Sequence, residues 1–344
     1  MELRAEIATL RLAETFVISR SAEDEAKVVQ VELRHEGQSG FGEGAPIDRY
    51  DEDPAMAVAF LEAAAPELGD DPFAFEEIWS RLPWREATQA ARAALDAALH
   101  DLCGKLVGVP VWRFLGLRRE GPPTSWTVWL GDPDDMARRA ERAAERFHRL
   151  KLKLGGRDGL DVERVRAVRS VTQLPLQVDV NEGWGSDDEA LEYLPQLVEL
   201  GIEYCEQPLP ADEMHVSGLK ERSPVAIYVD ENCHTHVDLQ DCARIAHGIN
   251  IKLAKSGGMR EAVRMAHAAR ALGVGVMLGC MIESGLGISA ACQIASLCDH
   301  IDLDGNLLLA EDPWPGVEFV DGIQVPAERP GLGVRHVEAI SRSR

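Results

Sequence analysis

Residues 149–181 read RLKLKLGGRDGLDVERVRAVRSVTQLPLQVDVN. Three segments are legible in this stretch. Arg149–Leu154 and Leu176–Val180 are short runs of strand length, and the amphipathic segment Asp161–Val171 between them reads as a helix. Strand, helix and strand at this spacing predict two parallel strands joined by a right-handed crossover. The alternation continues on both sides. Upstream, Ser125–Leu130 is an expected strand and Pro133–Phe147 an expected helix, opened by Asp132 and Pro133. Downstream, strands are expected at Ile202–Cys205, Ala226–Val229, Ile249–Leu253, Val274–Leu278 and His300–Leu303. Helices such as Ser186–Leu200 and Gly258–Leu272 fill the gaps, and Ser186 with Asp187 and Asp188 opens the former. Eight strands with seven intervening helical segments predict an α/β fold, a (β/α)7β barrel of the TIM type. An open doubly wound sheet is the alternative, weakened because no Gly-rich dinucleotide fingerprint follows an early strand.

The rest of the chain has a different texture. Period-2 patterns at Glu2–Leu12 and Lys27–Leu33 predict strands, followed by Gly-rich punctuation at Gly37–Gly44. Residues 53–117 read as helical, most clearly Ala87–Leu106, where Ala91, Leu95, Ala98, Leu102 and Leu106 repeat at helical spacing. Strands followed by helices mark an α+β domain over residues 1–118, and the barrel is expected over 119–316. Asp312-Pro-Trp-Pro breaks the last barrel unit. In the tail, 317–344, Gly322–Val325 and Gly331–Val334 are expected as short strands returning to the N-terminal domain.

Composition narrows the function classes. The chain has 344 residues, 45% hydrophobic and 27% charged, as in an ordinary globular protein. Its 36 Lys and Arg against 58 Asp and Glu leave a net charge of −22, which argues against nucleic-acid partners and anionic membranes. No apolar run is long enough to span a bilayer, and the N-terminus has no signal-peptide core. Seven scattered cysteines without a C-x-x-C pair read as reduced thiols in a cytoplasmic enzyme.

In such a barrel the active site lies at the C-terminal ends of the strands. There this chain places Lys151 and Lys153, Asp179 and Asn181, Glu206, Asp230-Glu231, Asn250 and Lys252, and Asp302 and Asp304. Two-residue spacing puts both members of a pair on one face of a strand. Any one of these could be an ordinary surface residue at a strand–loop junction. Six strands ending this way favour a common polar cluster. Asp179, Glu206 and Asp230 form an oxygen-only donor set suited to Mg²⁺. Lys153 and Lys252 could then face a substrate held on the metal. A lysine beside a divalent cation and another ammonium is expected to have a lowered pKa and to act as a base. Metal plus lysine bases is a recipe for removing a proton next to a carboxylate.

With these residues in view, the chain resembles the enolase superfamily, in its muconate-lactonizing-enzyme-like subgroup. The motifs that carry the resemblance are Lys151-Leu-Lys153, Asp179-Val-Asn181, Glu206-Gln-Pro208, Asp230-Glu231 and Ile251-Lys252 followed by Lys255-Ser-Gly-Gly258. The resemblance implies a capping role for the N-terminal α+β domain, completed by the tail. It implies Mg²⁺ on Asp179, Glu206 and Asp230, bases at Lys153 and Lys252 on opposite substrate faces, and Lys151 on the substrate carboxylate. Lys255 is the rival second base, set aside because it is expected in a loop. Asp302-Leu-Asp304 is similar to the paired-aspartate motif of dipeptide epimerases, which holds the substrate α-ammonium, and Cys280-Met281-Ile-Glu283-Ser284 also resembles that family. A cap or surface turn is the other reading of the two aspartates. The implied reaction is a 1,1-proton transfer at the α-carbon of the C-terminal residue of a dipeptide, through a metal-stabilised enediolate. o-Succinylbenzoate synthesis, N-acylamino acid racemisation and muconate cycloisomerisation are the alternatives on this scaffold. Arg20, in the loop Phe16–Ala26, would read the substrate side chain and favour an Ala-Glu-like dipeptide unless Glu23, Asp24 and Glu25 neutralise it. Thr127 and Met281 would line the substrate site, and family members are commonly homo-oligomers.

Cys233-His234-Thr-His236 has the look of a soft-metal site. It lacks a second cluster, so ordinary loop roles are expected. Trp126, Trp129, Trp184 and Trp314 are expected in core or rim, and no serine has a nucleophile-elbow context.

Overall fold

A computed structural model describes residues 1–82 and 88–337. Three antiparallel strands, β1 (Glu2–Val17), β2 (Ala22–His35) and β3 (Gln38–Gly44), form the N-terminal sheet in the order β1-β2-β3. The first strand runs past its expected end, with an irregularity between Arg11 and Phe16. Against this sheet lie the helices Pro54–Ala64, Phe75–Arg81 and Gln89–Val107. Ala87, the expected start of the last helix, lies outside the described residues.

The glycines read as punctuation at Gly37–Gly44 lie mostly within strand β3. Gly40, Gly42 and Gly44 alternate along the strand and face Ala98, Ala94 and Ala90 of the helix. A β-carbon on these glycines would lie 2.3, 2.0 and 2.0 Å from the carbonyl oxygens of those alanines. Glycine at every second strand position and alanine at every fourth helix position let the two backbones meet directly.

The barrel strands are β4 (Trp126–Val128), β5 (Leu150–Lys153), β6 (Leu176–Asp179), β7 (Ile202–Glu206), β8 (Ala226–Val229), β9 (Gly248–Lys252), β10 (Gly275–Gly279) and β11 (His300–Asp302). They pair in parallel in chain order. The ring is closed by a parallel bridge between Thr124 and Ile301, with the Ser125 N–H donating to the Ile301 carbonyl at 2.9 Å. Each expected barrel strand is present, most within a residue or two of its expected ends. Among the helices, Asp161–Val171 keeps both expected ends, and Pro133–Ala143 stops short of Phe147. Ser186 caps the helix Asp187–Glu199 by accepting from the Glu189 N–H.

Strand alternation sorts the side chains. Outward-facing Leu150, Leu152, Val178, Cys205, Ile227, Val229, Ile249 and Ile251 pack under the helices. Inside, Ser125, Gln177, Tyr204, Tyr228 and Met277 fill the N-terminal half, Tyr204 and Tyr228 lying 4.6 Å apart between ring centroids. The charged residues occupy the layer above.

In the tail, β12 (Val317–Val320) and β13 (Ile323–Pro326) form a hairpin. Gly331–Val334 is not a strand. Gly331 instead makes an isolated bridge to Pro110, and the Leu332 N–H donates to Asp101 at 2.7 Å. The tail therefore reaches the N-terminal domain through single backbone contacts, with residues 338–344 outside the described part. Among the described residues, no helix is long and apolar enough to cross a membrane.

Gly42→Ala places a methyl group where the Ala94 carbonyl already lies. The expected loss of stability is about 1–3 kcal/mol or more, read as a lower urea midpoint at unchanged slope. An unchanged midpoint would show that sheet and helix can separate freely.

Candidate active site

Every strand-end residue expected in the cluster is buried at the C-terminal mouth of the barrel. Asp179 and Glu206 are direct register partners on β6 and β7, and Lys153 pairs in register with Asp179 from β5. Lys151 is the hub. Its ammonium lies 2.7 Å from Glu206 Oε2, 2.8 Å from Asp302 Oδ2 and 3.1 Å from Asp179 Oδ2. Lys153 donates to Asp179 Oδ2 at 2.7 Å. Lys252 donates to Asp230 Oδ2 at 2.7 Å. Because β5 and β9 lie four strands apart in a ring of eight, Lys153 and Lys252 flank the cluster from opposite sides.

Lys255 corrects the sequence reading. It lies in a short helix, Leu253–Ser256, not a loop. Its ammonium is spent on Asp230 Oδ1 and the Asp230 carbonyl, both at 2.6 Å, and on the Asn250 carbonyl at 2.9 Å. It anchors Asp230 and faces no open space. Asn250 supports Glu206 in the same way, donating to Oε1 at 2.7 Å. The Gln207 side-chain oxygen accepts from the Asp230 and Glu231 N–H groups at 2.9 and 3.1 Å. Asn181, Glu182 and Gln207, just past β6 and β7, have positive φ of 47°, 66° and 38°. Left-handed backbone at non-glycine residues is costly, and it clusters here where the strand ends must turn their carboxylates inward.

The electrostatics follow from burial and interleaving. Burial pushes the Asp179 carboxyl up, but Lys153 and Lys151 outweigh it and hold the group below the usual range. Asp230 is held well below that range, since Lys252 and Lys255 outweigh burial. Glu206 is raised, by burial first and then by Asp179. Burial lowers Lys252, but the carboxylates of Asp230 and Glu206 more than compensate, so it lies above the ordinary lysine value.

The paired aspartates are joined to β4. The Thr127 N–H donates to Asp304 Oδ2 at 2.7 Å, and the Thr127 hydroxyl donates to Asp302 Oδ1 at 3.3 Å. Asp304 precedes the 3-10 turn Gly305–Leu308, yet its side chain makes no capping bond there. The cap reading is therefore excluded, and both carboxyls belong to the cluster. Burial and the neighbouring Asp302 push Asp304 up to about 7.

Arg20 reaches the rim from the β1–β2 loop. Its Nη1 lies 2.9 Å from Glu231 Oε1 and donates to the Asn181 carbonyl at 3.1 Å. Of the nearby acids, Asp24 accepts from Thr15 and Glu23 from Ser21, while Glu182 joins Glu231 at Arg20, 3.7 Å from Nη1. Ser19, which carried no signal in the sequence, donates to the same Asn181 carbonyl at 2.7 Å. Arg49 clamps Glu182 with two bonds of 2.9 and 2.7 Å. Met281 packs at the domain boundary with Leu10, Val28 and Trp129.

The Cys233–His236 segment is structural. His234 lies edge-on to Tyr50, His236 pairs with Glu261 at 2.5 Å, and Thr235 completes a capping box. Trp184 donates to Asp161 at 2.8 Å, and Trp126 stacks on Phe147.

The donor set has the chemistry of a site for a hard divalent cation. Asp179, Glu206 and Asp230 are buried carboxylates ending three successive strands, and Glu206 Oε2 has no aligned hydrogen bond. Glu206 is raised by both Asp179 and Asp230, the repulsion that a cation between them relieves. Among the described residues, no three acidic, His or Cys side chains are closed on one point. Lysine ammonium groups are interleaved with the carboxylates. The oxygen-only chemistry and the repulsion fit Mg²⁺.

Fold and cluster together define a barrel protein of the enolase kind, with lysines interleaved around a buried carboxylate centre. Residues 4–116 match the mandelate racemase / muconate lactonizing enzyme N-terminal domain, and residues 135–340 match the enolase C-terminal domain-like family. The chain belongs to this family. It is 39% identical to the L-Ala-D/L-Glu epimerase of Bacteroides thetaiotaomicron, over 95% of this chain and 86% of that one. It is 36% identical to the L-Ala-D/L-amino acid epimerase of Pedosphaera parvula, over 95% and 97%. The crystal structure of a dipeptide epimerase from Enterococcus faecalis V583, complexed with Mg and the dipeptide L-Leu-L-Tyr, superposes with a TM-score of 0.93 at 28% identity, covering 97% of this chain and 99% of that one.

Lys255→Met removes one of the two ammonium groups on Asp230. Breaking a buried pair in this way costs about 3–5 kcal/mol, and the value expected here is at the lower end because Lys252 remains. Chemical denaturation checks it, and a wild-type midpoint would remove Lys255 from the anchoring role.

Proposed function

We propose that the protein is a Mg²⁺-dependent dipeptide epimerase, an isomerase that inverts the α-carbon of the C-terminal residue. The observation that carries this reading is the placement of Lys153 and Lys252 on opposite sides of one buried carboxylate cluster that also contains Asp302 and Asp304. A bound Mg²⁺ on Asp179, Glu206 and Asp230 supplies positive charge for the substrate carboxylate as the α-proton leaves.

The chain's own groups do the rest. One lysine, as the free amine, takes the α-proton at Nζ. The other, as an ammonium, delivers a proton to the opposite face, so no net proton is gained or lost. Exchanging the two protonation states runs the reaction backwards. Asp302 and Asp304, steadied by Thr127, receive the α-ammonium of the N-terminal residue. Lys151 pairs with the substrate carboxylate. These aspartates separate this reading from synthesis of o-succinylbenzoate and from muconate cycloisomerisation, neither of which needs an ammonium site.

Arg20 reads the side chain of the C-terminal residue. Its Nη1 lies 2.9 Å from Glu231 and 3.7 Å from Glu182 and is bonded to the Asn181 carbonyl, so a substrate carboxylate would share the guanidinium with those acids. An Ala-Glu-like substrate is supported by the likeness to L-Ala-D/L-Glu epimerases, with Met281 lining the same site. We further propose the division into a capping domain, 1–118 completed by 317–344, and a barrel, 119–316. The net charge of −22 argues for a small-molecule partner and against nucleic acid and membrane. The protein acts in the cytoplasm as a homo-oligomer.

Incubation of an L,L-dipeptide library with Mg²⁺ in D₂O should give a mass gain of one in true substrates, with Glu-ended dipeptides foremost. Lys153→Ala and Lys252→Ala should each lose about 10²–10⁴-fold in turnover. Full activity in both variants would end the assignment. Asp304→Asn should raise KM for dipeptides much more than for N-acetylated ones, and an equal effect on both would place the ammonium elsewhere.

A further inference from the structure

Asp96 lies on the N-terminal domain's helix Gln89–Val107 and is fully buried. Its carboxylate leaves its own domain. Oδ2 accepts from the Met259 N–H at 2.6 Å and from the Arg260 N–H at 3.4 Å. These are the first two N–H groups of the barrel helix Met259–Ala271. Such groups have no partner within their own helix. They are ordinarily satisfied by a side chain at the residue before it, but that residue is Gly258. The other domain therefore supplies the cap, as an anion at the positive end of the helix. The fit leaves no room. Gly258 has φ of 108°, and a β-carbon on it would lie 2.5 Å from the Asp96 β-carbon. Behind the carboxylate, His100 Nδ1 lies 2.8 Å from the Asp96 carbonyl oxygen and 3.4 Å from Oδ2.

The capped helix leads back to one of the two flanking lysines. Lys252 ends β9 and begins the short helix Leu253–Ser256. The Gly257 and Gly258 N–H groups both donate to the Leu253 carbonyl, at 2.9 and 3.0 Å, and the Ala262 N–H donates to the Gly258 carbonyl at 3.1 Å. Lys252 is thus joined to the capped helix by hydrogen-bonded turns. Lys153, on the opposite side, is held differently. The loop after β5 is braced inside the barrel, with the Gly155 N–H donating to Asp161 at 2.9 Å and Arg164 donating to Asp158 at 2.7 Å.

We infer that Asp96 is a positioning residue for Lys252. By capping the helix Met259–Ala271 from the other domain, it fixes the end of β9 and so the amine that serves one face of the substrate. The cap stands on geometry, whereas the role of Lys252 rests on the epimerase reading. Loss of the cap should harm one face and spare the other. A lysine that still works removes the α-proton to its Nζ, exchanges it with solvent, and returns a deuteron to the same face of the carbon. The substrate then gains deuterium without inverting.

The comparison uses the intact protein with Mg²⁺ in D₂O and both epimers of a dipeptide substrate, with deuterium followed by mass spectrometry and inversion by chiral chromatography. In Asp96→Ala, inversion should fall about 10–100-fold, while the epimer that Lys252→Ala still deuterates should go on exchanging near the wild-type rate. Asp96→Asn, which keeps an acceptor without charge, should show the same split at smaller amplitude, and it carries the comparison if Asp96→Ala does not fold. Equal loss of exchange in both epimers, or the pattern of Lys153→Ala, overturns the positioning role. Unchanged inversion in every folded variant does so too. Amide hydrogen exchange supplies a readout apart from activity, in which protection should drop over residues 252–262 more than over 150–160. A drop of equal size in both segments shows general loosening and overturns the inference. If the wild type turns over no dipeptide, the failure falls on the epimerase reading, and amide exchange decides whether Asp96 holds the Lys252 segment.

Discussion

The structure turns on the interleaving of ammonium and carboxylate groups inside the barrel mouth. Isolated charges cannot be held there, because burial without compensation is too costly. Lys151 meets this constraint by touching Glu206, Asp302 and Asp179 at once. It thereby ties β5 to β6, β7 and β11 across the ring. Lys252, at the end of β9, and Lys255, in the short helix after it, do the same for Asp230. Every strand end must hold its register for the charges to match. The site is therefore also a closure device for the upper half of the barrel, while Tyr204, Tyr228 and Met277 fill the lower half without charge.

The N-terminal domain matters because it completes this mouth. Its sheet can lie close to the helix Gln89–Val107 only because glycine faces alanine along the contact. That packing fixes where the strand ends point. Ser19 and Arg20 reach the Asn181 carbonyl, Arg49 holds Glu182, and Glu43 binds the start of the helix after β10. Each of these contacts lands within a few residues of a strand-end carboxylate or of Met281. The N-terminal domain thus meets the barrel mouth through polar contacts to the same loops that carry the strand-end carboxylates.

Much of this was legible in the sequence because two periods are unambiguous. Strand alternation told Lys151 and Lys153 from the leucines between them, and the alternation of strands with helices gave the barrel. The failures have physical causes. The glycines of β3 were read only as punctuation because glycine is usually a breaker, and their use for close backbone approach depends on a helix more than forty residues later in the chain. Lys255 was placed in a loop because a four-residue helix leaves no periodic trace. The elevation of Lys252 could not be read at all. It depends on Asp230 and Glu206 outweighing both burial and the like charge of Lys151, and distance between strand ends is not written in local pattern.

The proposed two-base exchange needs one amine charged while the other is free. The carboxylates that raise Lys252 are also the groups suited to a divalent cation, so a bound ion would offset their pull on the lysine. Lys153 and Lys252 are bound to different carboxylates, Asp179 and Asp230. Asp230 has a second lysine of its own, and Asp179 shares Lys151 with Glu206 and Asp302. The two flanking amines thus have unequal surroundings, and an enzyme that works in both directions needs only that their protonation states can exchange, not that the two sites be alike.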